Sequence, residues 1–116
     1  MKSVRRPASL VVLAVAWIRS DAPEAALAAA RRTAGPFFHV LGSAAADPAR
    51  PDPGRRARFE ALPGLAYREV ILGFVSEGGR SRWLTDEEIS RGVLEAVAAG
   101  RPRAVVGVVE PWSARP

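Results

Sequence analysis

One histidine, one tyrosine and no cysteine in 116 residues leave few routes to chemistry. The missing cysteine excludes a disulfide scaffold, a thiolate zinc site, an iron–sulfur cluster and a Cys nucleophile. A lone histidine excludes a multi-histidine metal centre, so any metal would have to be held by carboxylate oxygen, and neither a metal nor a cofactor is expected. His39 is the residue whose ordinary pKa lies near neutrality, which makes it the candidate general base, with Tyr67 or Glu69 as its partner on an adjacent strand. The competing reading is a half-buried imidazole satisfied by a neighbour. No Gly-x-Ser-x-Gly elbow surrounds any serine, so a serine triad has no support.

Two basic segments are candidates for holding an anion. Glu77-Gly78-Gly79-Arg80-Ser81-Arg82-Trp83 precedes a helix signal, and the backbone and guanidinium donors of Gly78, Gly79, Arg80, Ser81 and Arg82 suit a phosphate or carboxylate. No Gly-Lys-Ser/Thr follows, so this is not a P-loop. Residues 43–66 form a Pro- and Arg-rich loop, where Arg50, Arg55, Arg56 and Arg58 could grip nucleic-acid phosphates with Phe59 stacking on a base. The net charge of +5 favours a polyanion in general. All but one of the 17 basic residues are arginine, however, a skew expected of high-GC coding as much as of binding.

The elements that would position these groups follow from pattern. Lys2, Arg5 and Arg6 before the apolar run Ala8 to Ile18 have the outline of a signal peptide, but the cleavage signal is poor and the run is too short to span a bilayer. A buried strand over residues 10–18 is expected instead, in a cytoplasmic protein; export is the alternative if residues 1–22 are removed. Ser20-Asp21-Ala22-Pro23-Glu24 opens an Ala-rich helix through Thr33, with Gly35 as its cap. Residues 37–41 read as a strand with Phe37, His39 and Leu41 on one face and Phe38 and Val40 on the other. Arg55 to Leu62 has room for two helical turns inside the loop. Tyr67 to Val75 reads as a strand, since Gly73 would weaken a helix. Thr85-Asp86-Glu87-Glu88 is a capping box, and the helix it starts ends at Gly100. Residues 103–110 form the last strand before Pro111.

The order strand, helix, strand, strand, helix, strand predicts a single α+β domain, a ferredoxin-like βαββαβ two-layer sandwich with an antiparallel sheet. A small three-layer α/β domain is the alternative if residues 67–75 are helical. The two-layer form leaves one apolar sheet face bare, so self-association through that face and Trp112 is expected. Gly73-Phe74-Val75 is similar to part of the third-strand signature of the RNA recognition motif. Leu10 to Val15 lacks that motif's aromatic residue, and nothing of the family is carried over. The expected function is a non-catalytic homo-oligomeric binding or regulatory module for a small anionic ligand, without a membrane role. A nucleic-acid-binding protein using the arginine loop is one alternative. A small acid–base enzyme using His39 and Tyr67 in a pocket on the open sheet face is the other.

Overall fold

A computed structural model describes residues 13–17 and 23–116. Strand β1 (Ala14–Trp17) leads into helix α1 (Pro23–Arg31), β2 (Gly35–Leu41), α2 (Pro53–Glu60) and β3 (Leu65–Leu72). A hairpin of β4 (Phe74–Glu77) and β5 (Arg80–Trp83) then precedes α3 (Asp86–Ala99) and β6 (Arg103–Val106). Four strands form one sheet in the order β1-β2-β3-β6, parallel throughout. The expected strand over residues 10–18 is seen at 14–17, but at the edge of the sheet with Val15 and Trp17 exposed rather than buried, because only one neighbour and one helix cover it; residues 10–12 and 18 lie outside the described residues.

The parallel sheet corrects the ferredoxin-like expectation, and the cause is a single segment. Read as loop, residues 43–66 allow β3 to return beside β2 in the opposite direction. Instead Asp52 caps α2, its carboxylate accepting from the Arg55 amide at 3.1 Å, and Pro53 stands at the first helical position. A helix in the connection makes it a crossover, and a crossover delivers a parallel strand. Strand alternation then sets the layers. Phe37 and Tyr67 point to the face carrying Ala26 and Ala30 of α1 and Phe59 of α2. Phe38, Val40, Val70, Leu72 and Val106 point to the other, under Ile89, Val93, Ala96 and Val97 of α3. The result is the three-layer arrangement, reached with residues 65–72 as a strand rather than a helix. Helices on both faces also remove the bare sheet face from which self-association and an open-face pocket were argued. Strand order advances in one direction while α3 lies opposite α1 and α2, so the β3-to-β6 connection has the opposite hand to the first two.

Glycine makes the close approaches. At Gly73 a Cβ would stand 2.1 Å from the Val108 carbonyl oxygen, and Phe74 and Val108 exchange backbone hydrogen bonds of 2.8 and 2.9 Å. The expected strand Tyr67 to Val75 is therefore two strands, parted where the chain leaves the parallel sheet for the hairpin. Gly107, with φ +76°, likewise ends β6 at Val106, well before Pro111. Gly35 opens β2 rather than capping α1. The capping box at Thr85 and the left-handed cap at Gly100 are as the sequence predicts.

Gly92, in the middle of α3, faces Val106: a Cβ there would lie 2.3 and 2.8 Å from the two Val106 methyl carbons. Helix propensity alone favours alanine by about 1 kcal/mol. The contact outweighs it, because valine is stiff at χ1 and overpacking costs about 1–3 kcal/mol. Gly92→Ala is therefore expected to lower stability to urea, and Val106→Ala in the same chain to recover part of the loss. A more stable Gly92→Ala protein would contradict this packing.

Candidate functional site

Neighbouring strands bring the two acid–base candidates of the sequence together. Register pairs His39 with Glu69 and Phe37 with Tyr67, and alternation turns all four side chains toward α1 and α2. The His39 Nδ1 and Tyr67 hydroxyl lie 2.8 Å apart, and the hydroxyl donates to Glu69 Oε2 at 2.8 Å. A phenol has one proton, so with that proton on the carboxylate the hydroxyl accepts from Nδ1–H. The chain of bonds assigns the neutral Nδ1–H tautomer, leaving Nε2 as the acceptor of the ring.

Helix α2 closes the network from above. Arg55 Nε donates to Glu69 Oε2 at 2.9 Å. Arg56 stands 3.7 Å from Glu69 Oε1, donates to the Pro102 carbonyl at 2.9 Å and lies over the Tyr67 ring, 5.2 Å from its centroid. Phe59 on the same helix stacks on Tyr67 at 4.5 Å between centroids and tilts against His39 at 5.1 Å. His39, Tyr67 and Glu69 are each only 5% exposed. Among the described residues no buried side-chain nitrogen or oxygen lacks a hydrogen-bond partner.

Burial and charge together set the protonation states. Desolvation pushes His39 down to about 4, the Glu69 charge only partly opposing it and Arg55 adding to it. Burial also raises the Tyr67 phenol, and the adjacent Glu69 carboxylate raises it further. Burial by itself would raise the Glu69 carboxyl, but hydrogen bonds from Arg55 and Tyr67 outweigh it and hold the group below the usual carboxylate range. The resting state is a neutral imidazole, a protonated phenol and an ionised carboxylate.

The other sequence candidates are dispersed. Gly78 and Gly79, both at positive φ, make the two-residue turn of the β4–β5 hairpin. Arg80 and Arg82 lie on its exposed outer strand, and Ser81 is half-buried there. Arg82 is committed to Glu88 through two bonds of 2.8 and 3.1 Å, and these, with the Thr85 amide, push Glu88 down to about 2. Of the loop arginines, Arg55 and Arg56 turn inward to Glu69. Arg58 stands 3.9 Å from Asp52, and Arg50 is exposed.

Trp112, expected at a subunit contact, lies 5.2 Å from the Arg115 guanidinium, which also stands 5.1 Å from the Trp83 ring centroid and donates from Nε to Ser43 Oγ at 2.8 Å. Sequence reasoning missed both Arg115 and Ser43, and nothing local marks either. The partnership of Arg55 and Arg56 with Glu69 did leave a trace: Asp52-Pro53 is a helix start, and a carboxylate on the same strand face as Tyr67 and Ile71 needs a cation. Among the described residues no group of three or more His, Asp or Glu side chains is placed to hold a metal, and no helix is long and apolar enough to cross a membrane. Comparison with known protein-family models, with curated proteins and with solved structures gives no significant match.

Removing one partner of a buried ion pair costs about 3–5 kcal/mol because the remaining charge is stranded. Arg55→Met is accordingly expected to lose an amount in the lower part of that range, since Arg56 remains near Glu69; a loss below about 0.5 kcal/mol in urea unfolding would contradict the pairing. Stability should also fall with acid in two stages. His39 takes up its proton near 6.5 when unfolded but only near 4 when folded, so its contribution is complete above 6.5 and is lost as pH falls toward 4. Glu69, with its folded pKa depressed, contributes above its unfolded value of 4.5, and that contribution is lost at lower pH. His39→Gln should flatten the profile between pH 7 and 5, and an unchanged slope there would place His39 in water.

Proposed function

We propose that the protein is a non-catalytic binding module for a small anionic ligand, and that the His39–Tyr67–Glu69–Arg55 network is its internal frame. The observation that carries this reading is the internal pairing of Glu69 and Tyr67, which leaves His39 Nε2 as the acceptor without a partner. Glu69 accepts from both Tyr67 and Arg55, and Tyr67 is occupied as donor and acceptor. A general base works best with a pKa near the working pH. His39, held at about 4, is a weak base at neutrality, and a phenol pushed upward is a weak acid. Displaced pKa values mark catalytic sites, but they also mark structural ion-pair networks, and the internal pairing of Glu69 and Tyr67 favours the second. The net charge of +5 supports an anion as ligand. Nucleic-acid binding through the loop arginines is less favoured, because Arg55 and Arg56 are turned to Glu69.

The reading is tested with native mass spectrometry of the protein from its own host, followed by incubation of the retained small molecule with wild type and Tyr67→Phe. The expected result is a bound anion that both proteins retain and neither alters, with Tyr67→Phe less stable by about 1–3 kcal/mol. Conversion of the molecule by wild type, abolished in a folded Tyr67→Phe protein, would make the network catalytic and overturn the reading.

A further inference from the structure

We propose that Arg115, set against Trp83 and Trp112 and tethered to Ser43, is an anion-recognition site for a small molecule bearing a carboxylate or phosphate. The proposal deepens the binding-module reading and rests on it.

The site lies at the carboxyl end of β2. Ser43, 5% exposed, comes two residues after Leu41, the last residue of that strand. In open parallel sheets the carboxyl ends of the strands are where ligands bind, because the loops there leave a crevice that the sheet itself cannot fill. Trp83 ends β5, and Trp112 begins a short helical turn beyond β6, so two separate excursions from the sheet return to one point.

The surroundings separate Arg115 from the other arginines discussed. Arg55, Arg56, Arg58 and Arg82 are each directed at a carboxylate and Arg50 and Arg80 are exposed, whereas Arg115 is held by Ser43 and two indoles and, among the described residues, no carboxylate stands within ion-pair distance of it. Its Nε is used on Ser43, which fixes the direction of the guanidinium and leaves the paired Nη donors for another acceptor. Those two groups form the fork that matches two oxygens of a carboxylate or phosphate. The indole contacts restrict the side chain further, so less rotamer freedom is lost on binding. Trp83 is 47% exposed, which leaves indole surface for the body of a ligand whose anionic group sits on Arg115.

Two of the three tryptophans of the chain touch Arg115, so indole emission reports the site directly. The experiment titrates the full-length protein with inorganic phosphate and, separately, with acetate, at low and matched ionic strength. Wild type, Arg115→Gln, Arg115→Lys and Ser43→Ala are compared, with circular dichroism as the check on folding. The expected result is a saturable change in wild type with at least one anion, and which anion saturates assigns the ligand class. Affinity should be weaker by roughly tenfold or more in Arg115→Gln and intermediate in Arg115→Lys, which keeps the charge and loses the fork.

Ser43→Ala keeps the guanidinium and loses only its tether, so it tests the site even if Arg115→Gln does not fold; several-fold weaker binding is expected. Wild-type affinity in folded Arg115→Gln, or in Ser43→Ala if the former is unfolded, would overturn the site while leaving the binding-module reading standing. No saturable change with either anion in wild type would overturn both.

Discussion

The charge of Glu69 is the constraint around which the domain is arranged. It sits in the middle of β3, 5% exposed, with Val70, Ile71 and Leu72 following it into the core. An ionised carboxylate there is tolerable only if its oxygens are fully engaged, because transfer of an unpaired charge from water to the interior costs several kcal/mol or more. Two of its partners come from α2, since Tyr67 supplies one hydrogen bond and Arg103, the register partner of Glu69 on β6, is exposed and does not stand within ion-pair distance of that carboxylate. The requirement fixes where α2 lies and which way it turns: Arg55 and Arg56 must reach Glu69 while Phe59 covers Tyr67. That position makes the β2-to-β3 connection a crossover and the sheet parallel. A local electrostatic need therefore has a topological consequence.

The two faces of the sheet are held by different physics. Beneath α1 and α2 the contacts are aromatic and ionic, with Phe37, Phe59 and Tyr67 stacked around the polar chain. Small residues let α1 lie close on the same face. Beneath α3 the contacts are aliphatic, and Gly92 lets that helix approach Val106. The polar face gives direction, since hydrogen bonds accept only one placement of α2; the aliphatic face gives area. A network committed in this way has little left for a substrate. A guanidinium with free donors stands elsewhere, at the end of the sheet where Ser43, Trp83 and Trp112 converge.

The sequence made the elements with strong local chemistry legible. Thr85 and Glu88 announce α3 by a reciprocal cap, and the alternation of Phe37 to Leu41 assigns His39 to the face it occupies. The juxtaposition of His39 with Tyr67 and Glu69 was readable because alternation puts Tyr67 and Glu69 on one face of β3, and two short strands have few ways to pair. The topology was hidden because it turned on α2, whose arginines resemble those of a solvated loop until Glu69 is seen to need them. The hairpin was hidden for a related reason: Gly73 reads as a weak point in a helix, and its actual role is to admit the Val108 backbone, which is 35 positions away in the chain. Arg115 and Ser43, 72 residues apart, carry no local pattern at all. What was missed depends on long-range pairing in every case.

Because the chain has a single histidine, nitrogen NMR of its ring reports the state of the network without interference. If the buried chain from Glu69 through Tyr67 holds His39 as described, the ring nitrogens will show the neutral Nδ1–H tautomer, unchanged as pH is lowered from 8 to 5. A ring that titrates near 6.5, or that carries its proton on Nε2, would contradict the network and with it the placement of α2.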